Sequence, residues 1–167
     1  MKNKLFVGID NGVTGTVGII YNNDTYFFKI PVKNGQSYTK AKANISRVDL
    51  PALMSKMNEV IWKHKPESAI CLIERPMVNP GRFKATVSAL RALESTLICV
   101  ELLKLPHQYE DSRAWQKLLL PSGSAKDQLK KDSKDIGCRL FPQHSEMIMK
   151  HGDADGLLLA EYARRKF

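Results

Sequence analysis

Two short apolar runs that each end on a lone carboxylate constrain this chain more than any other feature. Lys4–Ile9 runs into Asp10, and Ala69-Ile-Cys-Leu-Ile73 runs into Glu74. Continuous apolar runs of this length, bounded by turn residues, read as buried strands. Such a strand delivers its terminal carboxylate to the end of a sheet. If the two strands are neighbours, Asp10 and Glu74 stand side by side there. Like charges so placed repel strongly unless a cation lies between them.

The other elements follow from the local signals. Asn11-Gly12 predicts a turn, Thr16–Tyr21 a second strand and Thr25–Ile30 a third, which makes an N-terminal meander. Pro31–Ser46 is polar and basic and reads as a loop. Asp49 and Pro51 open a helix whose Leu50, Leu53, Met54, Met57, Val60 and Ile61 recur at helical spacing to about His64. After the Glu74 strand, a long helix is expected over about Phe83–Leu103, with the stripe Phe83, Val87, Leu90, Leu93, Leu97, Val100 and Leu103. Its spacings of 4, 3, 3, 4, 3 and 3 lie close to a heptad. They permit both a helix lying on the sheet and a symmetric partner helix. His107–Glu110 is a weak strand signal. Helices are expected at Arg113–Leu120, Lys126–Leu140 and about Gly152–Arg165. The order β-β-β-α-β-α-β-α predicts an α/β fold, a mixed five-stranded sheet with helices on both faces.

Charge narrows the partner. Lys and Arg outnumber Asp and Glu by 26 to 17, a formal net charge of +9, and a domain this basic is built to meet a polyanion. The segment 31–48 carries Lys33, Lys40, Lys42 and Arg47 with no acid, and 75–93 carries Arg75, Arg82, Lys84 and Arg91 with none. The chain of 167 residues, 43% of them hydrophobic, is the size of one domain (1–167) with a real core. Three dispersed cysteines exclude a disulfide framework and a cysteine-built zinc site. No apolar run reaches membrane-spanning length, and the N-terminal run is too short for a signal peptide. A soluble, cytoplasmic protein without a membrane partner is expected.

A third acidic position completes the set. Gly152-Asp-Ala-Asp155-Gly-Leu-Leu-Leu-Ala160 places Asp155 in the first turn of the last helix. If that helix has begun by residue 151, His151 and Asp155 share a face and form the ligand pair. If 151–153 is still loop, Asp153 swings in instead. We expect the helical arrangement, with Asp10, Glu74, Asp155 and His151 as ligands and Asp153 as the competing group. Few hard oxygen ligands suit Mg²⁺, and two such ions can drive phosphodiester cleavage.

Gly8-Ile-Asp10-Asn-Gly12, Ile73-Glu74-Arg75-Pro76 and Asp153-Ala-Asp155-Gly-Leu-Leu-Leu-Ala160 together resemble the three acidic motifs of the RuvC family of Holliday junction resolvases, more its phage branch than its bacterial one. The likeness spans essentially the whole chain in order. It implies a ribonuclease H-like fold, a homodimer, two Mg²⁺ ions (Mn²⁺ substituting), and paired nicks across a four-way DNA junction in the cytoplasm of a phage-infected or bacterial cell. By that resemblance Asp10, Glu74 and Asp155 are metal-binding catalytic acids, and the family's fourth position falls on His151 or Asp153. Lys117 and Lys126 match its basic DNA-contacting segment. Met77 stands where bacterial members carry an aromatic wedge, so strict sequence preference at the cut is not expected. Arg75, Arg82 and Lys84 join these as DNA-binding candidates.

The competing readings are a nuclease of broader branched-DNA or RNA–DNA hybrid choice, and a non-catalytic nucleic-acid-binding module whose acids cap turns. Gly8-Ile-Asp10-Asn-Gly12-Val-Thr14-Gly15 also resembles the phosphate loop of actin-like ATPases. Those need a second lobe that 167 residues do not supply.

Overall fold

The computed structural model describes residues 3–37, 39–40, 42–123, 125 and 127–167. Strands β1 (Lys4–Ile9), β2 (Thr16–Tyr21) and β3 (Asp24–Lys29) form the expected antiparallel meander. The second carboxylate-ended run is β6 (Ser68–Glu74), which pairs parallel to β1 with Ile9 beside Ile73. β7 (His107–Glu110) adds parallel to β6. The sheet order is β3-β2-β1-β6-β7, so the two acid-tipped strands are central neighbours that end at the same edge.

Period-two alternation sends the apolar residues of β1 to two cores. Leu5, Val7 and Ile9 pack with Leu53, Met57 and Val60 of α1 (Leu50–His64) and with Ala92, Cys99 and Val100 of α2 (Phe83–Leu102). On the opposite face Phe6, Ile20 and Leu72 meet Trp115 of α3 (Ser112–Leu119) and Leu157, Leu158 and Ala160 of α6 (Asp155–Lys166). Helices α4 (Leu129–Leu140) and α5 (Ser145–His151) close that side, with Ile148 fully buried.

The approach of α6 to the sheet depends on missing side chains. Gly8 and Gly18 stand opposite each other on β1 and β2. A Cβ at Gly8 would overlap the Ala160 amide and the Gly156 carbonyl, and one at Gly18 the Leu157 backbone. The amide of Gly156 donates to Thr16 Oγ1 at 3.1 Å. The first turn of α6 is thereby drawn down onto the end of β1.

Two expectations need correction. The segment 31–46 is not a loop. β4 (Val32–Gln36) and β5 (Asn44–Val48) form a separate antiparallel ribbon. Its residues are mostly exposed, so no apolar alternation announces it. The last helix does not begin at Gly152. That glycine sits at φ 106° as the left-handed cap of α5 and donates to the Ile148 carbonyl at 2.8 Å, and a new helix starts at Asp155; left-handed glycine caps end helices. The α2 stripe divides, as its spacing permits. Leu93, Leu97, Val100 and Leu103 pack on the core, whereas Phe83 is 72% and Leu90 43% exposed.

Candidate active site

Asp10 follows β1, Asp153 lies in the α5–α6 turn, and Asp155 opens α6. One carboxylate oxygen of each lies within 4.8 Å of the other two. The loop after Asp10 is fixed tightly. The Asp10 amide donates to the Thr16 carbonyl at 3.0 Å, and a Cβ at Gly15 would strike the Asp10 carbonyl. Asn11 Nδ2 donates to the Ala89 carbonyl of α2 at 3.1 Å. Asp155 accepts a short hydrogen bond from Ser133 Oγ of α4, and the same hydroxyl accepts the Ala154 amide at 3.1 Å. Glu74 accepts from the indole Nε1 of the fully buried Trp115 at 2.9 Å. A buried tryptophan needs such an acceptor, so the core of α3 sets the direction of this carboxylate.

These acids are costly to ionise where they stand. Burial pushes Asp10 well above the ordinary aspartate range, and the charges of Asp155, Glu74 and Asp153 push it further, against Lys130. Burial and then Asp153 raise Asp155 to about 7, although the Ser133 bond opposes them. Burial raises Glu74, with the Trp115 bond opposing and Asp153 adding. A cluster of crowded, poorly solvated carboxylates with free oxygens fits a hard divalent cation, which would neutralise it.

The helix-face pairing of His151 with Asp155 is absent, because the chain turns at Gly152 between them. The structure brings Asp153, 5% exposed, into the acid cluster and sets His151 beside it on the wall of the same cleft, with Nε2 3.4 Å from Asp153 Oδ1. Burial pulls the His151 ring below the usual histidine range, and Asp153 resists that shift.

A cleft of about 590 Å³ opens over Asp10, Asp153 and Asp155, bordered by Lys29, Val32 and Lys130. A second of about 490 Å³ is lined by Glu74, Met77, Arg113 and Gln116. Asp155 and Lys130 line both. Met77, Arg75 and Arg82 gather with Glu74 around a third hollow. Arg75 Nε also pairs with Asp111 at 3.0 Å. Lys84 and Lys117 are exposed and line none of these three clefts, and Lys126 lies outside the described residues. Sequence reasoning missed Lys130, whose Nζ is 3.7 Å from Asp153 Oδ2. Nothing distinguishes it from its lysine neighbours on α4. It also missed Ser133, although a small polar residue four positions after Leu129 on the apolar side of α4 was a readable signal.

No sequence family and no curated protein matches the chain. Among solved structures, T. thermophilus RuvC in complex with a Holliday junction substrate superposes over 97% of this chain and 96% of its own, with a TM-score of 0.56 at 15% identity. The chain has the RuvC fold. This is the ribonuclease H-like α/β architecture expected above. Yeast mitochondrial Holliday junction resolvase Ydc2 (TM-score 0.48, 13% identity, 98% of this chain and 79% of that one) and fowlpox virus resolvase with its junction DNA (0.42, 9%, 95% and 93%) are also similar. At the edge of the RuvC fold where β1 and β6 end, this chain carries Asp10 and Glu74, with Asp153 and Asp155 beside them. No described helix is long and apolar enough to cross a membrane.

Proposed function

We propose that this chain is a divalent-metal-dependent endodeoxyribonuclease that resolves four-way DNA junctions by paired nicks. The observation that carries the reading is the convergence of Asp10, Asp153 and Asp155 at one cleft, with Glu74 beside it, on a basic molecule of RuvC fold. Asp10, Asp153, Asp155 and Glu74 are the residues that would hold the ions. When bound, a pair of Mg²⁺ ions, replaceable by Mn²⁺, supplies charge neutralisation at the phosphate and activation of the attacking water.

The chain's own residues do the positioning. Trp115 fixes Glu74, Ser133 fixes Asp155, and His151 buttresses Asp153, which limits the rearrangement needed when substrate arrives. Lys130, standing over both clefts with its side chain 81% exposed, is placed to meet a phosphate oxygen between them. Met77 and Val78, both exposed on the loop after Glu74, offer an apolar wedge without a stacking face, so weak sequence preference at the cut is expected. Arg75, Arg82, Lys84, Lys117 and Lys126 would contact the arms. Two copies joined through the exposed Phe83 and Leu90 side of α2 would present two clefts to opposing strands, matching the approximate two-fold symmetry of a junction.

The test is cleavage of a synthetic four-way junction beside linear duplex, Y-fork, flap and RNA–DNA hybrid, with Mg²⁺ and with EDTA. Junction cleavage with Mg²⁺ alone supports the reading. Preference for forks or flaps makes the enzyme a broader branched-DNA nuclease, preference for hybrid makes it a ribonuclease H, and binding without any cutting makes it a non-catalytic module.

A further inference from the structure

The β4–β5 ribbon has no part in holding the acids, yet it springs from the rim of their cleft. Lys29, Ile30 and Val32 line that cleft as the chain passes from β3 into β4. The Asp49 amide closes the base of the ribbon on the Pro31 carbonyl at 2.8 Å, and Val48 is buried there. Beyond the base the ribbon stands largely in solvent.

Its side chains are arranged at a cost. Lys33 stands directly opposite Arg47, so both leave the same face of the ribbon, with Cβ atoms about 5 Å apart. Like charges so placed destabilise a strand pair, and a two-stranded ribbon is marginal to begin with. Segment 31–48 holds no acid to offset them. Among the described residues, no ion pair engages Lys33, Lys42 or Arg47. Gly35 lies on the same face, where nothing comes within 4 Å of the position a Cβ would take. A glycine with open space above it lets another backbone approach closely. The opposite face carries uncharged Asn34, Gln36, Asn44 and Ser46, with Ser46 Oγ donating to Asn34 Oδ1 at 3.1 Å. The ribbon thus carries its two cations on one face, with the half-buried Ile45 opposite Gly35, and uncharged side chains on the other, with Val32 and Val48 at its base.

We propose that the β4–β5 ribbon grips the duplex arm leaving the acid cleft, with Lys33 and Arg47 on its phosphates. The inference rests on the junction-nuclease reading above. Polyanion binding turns the unfavourable Lys33–Arg47 pair into a favourable one, because one phosphodiester strand neutralises both. Five residues of strand extend about 17 Å, the rise of roughly five base pairs. A two-stranded ribbon is also a shape that a duplex groove accepts.

The test compares junction binding by the wild-type chain, by Lys33→Gln/Arg47→Gln, and by Lys65→Gln/Lys104→Gln. The last removes the same two charges at the opposite end of the sheet, around a hollow lined by Trp62 and Pro106. Each is titrated against one four-way junction over a range of salt, with thermal unfolding recorded. We expect the ribbon variant to lower the slope of log K against log[salt] by about 1.8, at about 0.9 per phosphate contact, and to unfold no earlier than wild type. The remote variant is expected to retain the wild-type slope. With junction arms cut to about three base pairs beyond the cleft, short of the ribbon's reach, wild type should fall to the level of the ribbon variant. Equal slopes for wild type and ribbon variant, or equal losses in the two double variants, overturn the ribbon assignment while leaving the nuclease reading intact. Failure of wild type itself to prefer and cut the junction overturns that reading instead.

Discussion

At the scale of single residues, the proposed function divides the work between Asp153 and His151. Asp153 joins Asp10 and Asp155 in the acid cluster, and His151, on the wall of the same cleft, touches Asp153. Asp153→Asn is therefore expected to reduce single-turnover junction cleavage by more than about 100-fold. His151→Ala is expected to lose about tenfold and to raise the Mg²⁺ concentration needed, as loss of a supporting group does. A dead His151 variant beside an active Asp153 variant would reverse these roles. Glu161 provides a check on stability. It is almost fully buried and receives hydrogen bonds from Arg164 Nε at 2.7 Å and Arg165 Nε at 2.8 Å. Burial raises its carboxyl, but the two arginines outweigh burial and hold it below the ordinary glutamate value. A depressed folded-state pKa gives stability that is present above about pH 4.5 and lost as pH falls through the folded value. Glu161→Gln is expected to cost about 1–2 kcal/mol at neutral pH. Denaturant unfolding should show that cost shrinking below about pH 4, and a constant difference at all pH values would contradict the account.

Elements deliver these residues, and the sequence disclosed the elements unevenly. The central strands and α1 were plain because apolar runs, Asp49, Pro51 and helical spacing all agreed. Those runs put Asp10 and Glu74 at strand ends, and the pairing of β1 with β6 is what makes those ends neighbours. The ribbon was hidden because exposed strands carry no alternation. The α5–α6 break is signalled by Gly152, which caps α5 in the left-handed conformation, whereas the four-residue spacing of His151 and Asp155 points to one continuous helix. Ser133, Trp115 and Lys130 entered the site through tertiary packing of α3 and α4, which no local pattern records. The Gly8–Gly18 patch makes the importance of helix placement testable. Gly8→Ala should cost about 1–3 kcal/mol through overpacking and should displace Asp155 along with α6. Thermal unfolding and cleavage are expected to fall together. A variant of wild-type stability and activity would show that the close approach of α6 is not needed.

At the scale of the whole molecule, the proposed function requires the basic surface, the acid cleft and the outward side of α2 to act together on one branched substrate. Apolar side chains exposed together along one side of a helix are candidates for a contact surface. Phe83 and Leu90 are seven residues apart, two turns along the same side of α2. Leu90→Glu is accordingly expected to convert a dimer into monomers in sedimentation analysis, and to replace paired nicks by single ones. A wild-type chain that sediments as a monomer while still making paired nicks would remove α2 from this role. On the proposed function, the crowded acids at the ends of β1, β6 and the α5–α6 turn cut junction DNA with a divalent cation. Its most direct test is denaturing-gel cleavage of one end-labelled four-way junction by wild type, Asp10→Asn and Asp155→Asn in Mg²⁺, and by wild type in EDTA. Cleavage is expected from wild type in Mg²⁺ only, with both variants still binding the junction. Cleavage by either variant at the wild-type rate, or undiminished cleavage in EDTA, would contradict that function.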